Sequence, residues 1–132
     1  MYNTSIMWVR CNPNPHHNEQ APDCVIRAIS IALGLSWYEV FDDLSSVARA
    51  ACSVTCDDHV WGKYLFDKGF IPFKLPNRCP ECISVKQFCE KFSNGTFIIG
   101  TGSHAVAIIN GKYYDSWDSG DTIASFFWII TK

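Results

Sequence analysis

The sequence predicts an α+β fold in which an N-terminal helical half packs on a C-terminal antiparallel sheet. Up to Asn94-Gly95 the apolar residues recur mainly at helical spacing. After Gly95, β-branched and aromatic runs alternate with turn residues. Between two of those runs stands Asn110-Gly111, the strongest short hairpin signal a sequence offers.

The elements follow in order. Residues 11–23 are dense in Pro and Asn and read as a loop. Asp23 is a good N-cap, and Val25, Ile26, Ile29, Ala32 and Leu33 form a helical stripe that ends at Gly34. Ser36 opens a second helix through a capping box with Glu39, and its stripe runs Trp37, Val40, Phe41, Leu44, Val47 and Ala48. A third helix begins at Asp57 or Asp58 and stops at Gly69, with Trp61, Tyr64 and Leu65 facing the core. The fourth begins at Ser84, again with a capping box, to Gln87. Strands are expected over 96–100, 105–109, 112–117 and 123–130. The last contains Phe126-Phe127-Trp128-Ile129-Ile130, apolar on both faces as a buried central strand or a dimer interface would be.

A chain of 132 residues has the size of one domain, spanning 1–132, and can bury a core without staples. Its 48% apolar and 18% charged residues exclude disorder. Eleven basic and thirteen acidic residues leave a net charge of −2 with no basic cluster, so no nucleic-acid partner is expected. Residues 1–10 lack the basic start and apolar run of a signal peptide. No stretch approaches the ~18 apolar residues of a membrane span. The expected setting is cytoplasmic, with no membrane partner. Seven cysteines, an odd number in such a setting, favour free thiols, a metal site or a catalytic thiol over a disulfide framework.

Cys24 stands in the first turn of its helix, where backbone N–H groups and the helix dipole stabilise a thiolate. Closing the hairpin at Asn110-Gly111 sets Ile109 against Lys112, which makes His104 and Asp115 a diagonal cross-strand pair. Trp117 shares their face, and Asp118 points to the other. A thiol, an imidazole and a carboxylate behind it have the composition of an activated nucleophile.

Ser103-His104-Ala105-Val106-Ala107 resembles the His segment of papain-like cysteine peptidases, and Asp115-Ser116-Trp117 resembles their Asn-Ser-Trp motif, with Asp for Asn. The order Cys, His, then Asn or Asp is also theirs. Asp as the third member is similar to the bacterial peptidases that trim double-glycine leader peptides. The whole chain looks like the small papain-fold proteins of bacteria and their phages. That resemblance implies a papain-like fold, a protein or peptide substrate, and an oxyanion site in which Asn18, or Gln20 nearby, acts with the Cys24 N–H. It implies a cysteine hydrolase cleaving an amide or isopeptide bond through a thioester on Cys24, with His104 as base and acid and Asp115 orienting it. With an amine acceptor the same triad performs acyl transfer; a non-catalytic phage effector on the same fold is the rival from another class.

The remaining cysteines raise a separate expectation. Cys79-Pro80-Glu81-Cys82 has the spacing of half a zinc site, and Cys52 with Cys56 would complete a structural four-thiolate set. No other cofactor is expected. Cys89 belongs to the core of the fourth helix, and His16 and His17 are solvated loop residues.

Overall fold

The structure, a computed structural model, describes residues 7–76 and 78–130. Residues 1–6, part of the stretch read for a targeting signal, lie outside it. The elements run β1 (Trp8–Arg10), α1 (Cys24–Leu33), α2 (Trp37–Ala50), α3 (Asp58–Asp67), β2 (Phe70–Lys74), α4 (Val85–Lys91), β3 (Thr96–Gly100), β4 (Ala105–Ile109), β5 (Lys112–Asp115) and β6 (Phe126–Ile130). The strands form one sheet in the order β1-β5-β4-β3-β6-β2. Every pairing in it is antiparallel except that of β1 with β5. The fold is therefore mixed α+β.

Local chemistry explains the helix ends. Gly34 takes a left-handed conformation at φ 68° and returns its N–H to the Ser30 carbonyl, closing α1. Ser36 accepts from the Glu39 N–H at the start of α2 without the reciprocal bond of a full box. Ser84 and Gln87 make both bonds of the box at α4. Asp57 caps α3 through the His59 N–H. Asp23 departs from expectation: it occupies the cap position of α1, yet its side chain caps nothing there. Its buried carboxylate instead meets the Arg27 guanidinium, Asn14 Nδ2 at 2.9 Å and Trp37 Nε1 at 2.9 Å. A charged partner inside the protein outcompetes the neutral helix N–H groups.

The sheet separates two apolar clusters, as alternation of side chains requires. On one face Ile98, Ala105 and Ala107 pack against Val25, Ala28 and Ile29 of α1, Val40 and Leu44 of α2, and Trp61, Tyr64 and Leu65 of α3. On the other, Phe97, Ile99, Val106, Ile108 and Tyr113 pack against Val85, Phe88 and Cys89 of α4. The β4–β5 turn has the expected register, Ile109 opposite Lys112, with positive φ at both Asn110 (50°) and Gly111 (78°), as a type I′ turn requires. β6 lies between β3 and β2, so its two apolar faces reflect a central position.

The segregation of helices from strands is less complete than the sequence suggested. β1 is a three-residue parallel addition at one edge, and β2 is the opposite edge, carrying Pro72 where a lost ladder N–H is tolerated. The four-thiolate zinc set on Cys52, Cys56, Cys79 and Cys82 does not assemble. Cys79 and Cys82, with Cα atoms 4.5 Å apart, are joined as a disulfide, while Cys52 and Cys56 are free and exposed. Among the described residues no three His, Cys, Asp or Glu side chains gather as metal ligands. Among the described residues no single helix is long and apolar enough to cross a membrane.

Gly100, at the end of β3, faces Phe126 across the β3–β6 pair, and a Cβ there would overlap the Phe126 ring. Gly100→Ala is expected to destabilise the protein by about 1–3 kcal/mol through overpacking, read by urea denaturation. The same change in a Phe126→Leu background should cost clearly less; equal costs in both backgrounds would show that the ring contact is not the cause.

Candidate active site

Three segments meet where β4 begins. Cys24 is the first residue of α1, and His104 ends the loop between β3 and β4. That loop is a tight turn in which the N–H of Thr101 donates to the His104 carbonyl at 2.9 Å and its hydroxyl at 3.3 Å. Gly102 supplies the left-handed conformation the turn needs, at φ 99°. Asp115 is the last residue of β5. Because α1 lies on the Ala105–Ala107 face and Val106 and Tyr113 on the other, thiol and imidazole meet around the end of the sheet rather than across one face.

His104 Nε2 lies 2.6 Å from Asp115 Oδ2, with both side chains nearly buried. Asp115 Oδ2 also accepts from the Ser119 hydroxyl at 2.6 Å, and Oδ1 accepts from the Ser116 N–H at 2.8 Å. The carboxylate is thus held by three donors and cannot rotate freely. Asp118 is occupied elsewhere, accepting from the Tyr113 hydroxyl and from the Gly120 N–H, which hold its carboxyl below the usual range. Of the two carboxylates, Asp115 is the one joined to His104. With Nε2 engaged, Nδ1 is the nitrogen left to face Cys24. The Trp117 ring stands 5.0 Å from the imidazole, centroid to centroid, and covers it although the residue is 45% exposed.

The electrostatics of the pair are mutual. Burial alone pushes the Cys24 thiol up, but the hydrogen bond from His104, the Ala105 N–H and the positive charges of His104 and Arg27 outweigh it. The net result lies below the ordinary value of 9.0. Burial likewise opposes a charged His104, yet its hydrogen bonds to Asp115 and Cys24 and their negative charges raise it to about 9. Both shifts favour a thiolate–imidazolium pair. Cys11 and Cys89 show the contrary case: burial pushes both up, Cys89 to about 12.

Cys24 and His104 open on a cavity of about 230 Å³ whose walls include Cys56, Trp61, Gly100 and Phe126. Asn18 is not part of that lining. It is exposed, and its Oδ1 accepts from the Gln20 N–H at 2.9 Å. Gln20 is exposed as well. The first-turn N–H groups of α1 remain as donors without helical partners at the sulfur. His16 and His17 are exposed.

Sequence reasoning missed several members of this arrangement. Ser119, fully buried behind Asp115, sits in an irregular turn where spacing carries no directional information. The Asp23–Arg27 pair was readable as an i,i+4 contact, but not its burial or its recruitment of Asn14 and Trp37. The Ala105 N–H is a backbone group and leaves no trace in side-chain patterns.

Because His104 is the main influence lowering the Cys24 thiol below 9.0, alkylation by iodoacetamide should modify Cys24 first, at a pH below that at which the other thiols react. In His104→Ala the inflection of rate against pH should move upward towards the ordinary thiol value. Peptide mapping and the pH–rate profile check both points; labelling ordered only by exposure would contradict the pairing. No protein-family model, curated protein or solved structure matches this chain.

Proposed function

We propose that the protein is a papain-like cysteine hydrolase that cleaves an amide or isopeptide bond in a protein or peptide. One observation carries the reading: a thiol at a helix start lines the same cavity as an imidazole that is itself held 2.6 Å from a buried carboxylate. Neither half of that arrangement is useful to a structural core, since burying ionised groups costs free energy that apolar residues would not.

The residues act in sequence. The Cys24 thiolate attacks the substrate carbonyl carbon, and the developing oxyanion is met by the Cys24 N–H at the positive end of α1. His104 holds the proton on Nδ1 and gives it to the departing amine, so that the C–N bond breaks and a thioester remains. Water then attacks the thioester while His104 takes its proton, which releases the acid and restores the thiolate. Asp115, fixed by Ser119 and the Ser116 N–H, keeps the imidazole in one orientation and supports its charge. An amine arriving in place of water makes the same steps an acyl transfer. None of them calls for a cofactor.

The pH dependence follows from the directions of the two shifts. Activity rises as Cys24 ionises, below the ordinary 9.0, and falls as His104 loses its proton near about 9. Turnover of a mixed fluorogenic peptide pool should therefore give a bell whose alkaline limb lies near pH 9. Asp115→Ala removes the main support of the imidazolium, so the alkaline limb should move to lower pH and the rate fall by about 100-fold or more. Asp118→Ala should leave both nearly unchanged. Equal losses in the two variants would remove Asp115 from the orienting role.

A further inference from the structure

The cavity that holds Cys24 contains a second thiol. Cys24, His104 and Cys56 all line the same space of about 230 Å³, yet the steps proposed above use only the first two. Cys56 is free and exposed, and it belongs to the turn that joins α2 to α3. Its neighbour Asp57 is fixed as the cap of α3 and accepts from the Ser53 hydroxyl at 2.6 Å. That anchor keeps Cys56 at the cavity wall, while its place outside both helices lets it shift without breaking either.

Among the described residues no other free thiol is placed in this way. Cys11, Cys52 and Cys89 do not line the cavity, and Cys79 and Cys82 are already joined to each other. Cys52 is free and exposed in the same turn as Cys56, which makes it the natural control. The space has room for several waters, at about 30 Å³ each, and so admits a molecule as small as a peroxide. Cys24 is the thiol that such a molecule meets as a thiolate. Burial resists its ionisation, but the hydrogen bond with His104 and the positive charges of His104 and Arg27 outweigh that resistance. An acidic, accessible thiol with a second thiol beside it is the arrangement in which sulfur oxidation stays reversible.

We propose that Cys24 and Cys56 form a reversible disulfide when the protein meets hydrogen peroxide, which switches the site off and protects its sulfur from irreversible oxidation. The proposal rests on Cys24 being the nucleophile and adds Cys56 as its resolving partner. In the first step the Cys24 thiolate attacks one peroxide oxygen and the O–O bond breaks. The departing hydroxide takes the proton of the His104 imidazolium and leaves as water, and Cys24 becomes a sulfenic acid. The Cys56 sulfur then attacks the Cys24 sulfur, the S–O bond breaks, and the Cys56 proton leaves with the hydroxide as a second water. The two thiols lose two electrons and the peroxide gains them. A dithiol reductant reverses the bond by exchange and restores both thiols.

The test treats the reduced protein with hydrogen peroxide and assigns its cysteines by peptide mapping with tandem mass spectrometry. A peptide pair linked through Cys24 and Cys56 is the expected product. The fraction of Cys24 open to iodoacetamide should fall on oxidation and return almost fully with dithiothreitol. In Cys56→Ser, an exposed change that spares the core, dimedone should trap the sulfenic acid at Cys24. Without dimedone that sulfur should oxidise further, so the fraction recovered by dithiothreitol should be about tenfold lower than in the native protein. Cys52→Ser should behave as the native protein does. If iodoacetamide labels Cys24 first in the reduced protein, equal recovery in Cys56→Ser, or a bond from Cys24 to Cys52 or Cys11, would overturn the pairing alone. Failure of iodoacetamide to select Cys24 would overturn both the pairing and the nucleophile.

Discussion

Everything at this site depends on how closely α1 approaches the start of β4. The sulfur of Cys24 and the ring of His104 belong to elements eighty positions apart in the chain, and they interact only because the helix lies tight against the sheet. Ala28 on the helix and Ala105 and Ala107 on the strand make that approach, all of them buried. Larger side chains at these positions would lift α1 off the sheet and carry the thiol away from the imidazole. Close packing inside a core leaves no slack to absorb such a change. The small residues of the α1–β4 contact thus set the geometry of the site as much as Cys24 and His104 do.

Two buried ion pairs flank the sulfur, and they do different work. Asp115 with His104 favours the charged form of the imidazole. Asp23 with Arg27 sets the position of the helix, because Asp23 also takes Asn14 from the preceding loop and Trp37 from α2. One carboxylate therefore ties two other segments, the preceding loop and α2, to the first turn of α1. Arg27, neutralised in part by Asp23, still contributes positive potential at Cys24. Burying such a pair is expensive, and removing one partner alone typically costs about 3–5 kcal/mol. A fold that keeps this network beneath Cys24 gives up stability that an apolar packing would retain, in return for a fixed geometry.

Much of this was legible in the sequence because it was local. Caps, stripes and the Asn110-Gly111 turn act over a few residues, and the hairpin register that follows from the turn singled out Asp115 over Asp118. What escaped was non-local. β1 is three residues long and exists only because β5 offers it an edge, and β2 carries a proline that reads as a break until it is seen to be an edge strand. The cysteine pair at 79 and 82 illustrates the same limit. Two cysteines separated by two residues suit zinc or a disulfide equally well, and here they are joined to each other while Cys52 and Cys56 stay free. Asn18 matched an expected spacing, yet the loop turns its side chain back onto Gln20.

The three cysteines whose acidity departs from the ordinary value separate the causes of that departure. Burial acts on Cys11, Cys24 and Cys89 alike, and in each it opposes the thiolate. If removal from water governed the outcome, all three would be inert. Cys89 follows that rule: it is packed into α4, next to Glu90, and is pushed up to about 12. Cys24 breaks it because its surroundings supply a hydrogen-bonding imidazole, a backbone N–H and two positive charges, and in a poorly solvated site each of these acts more strongly than it would in water. The same burial that silences Cys89 therefore amplifies the partners of Cys24. Thiol acidity in this protein follows what stands opposite the sulfur rather than how much water reaches it.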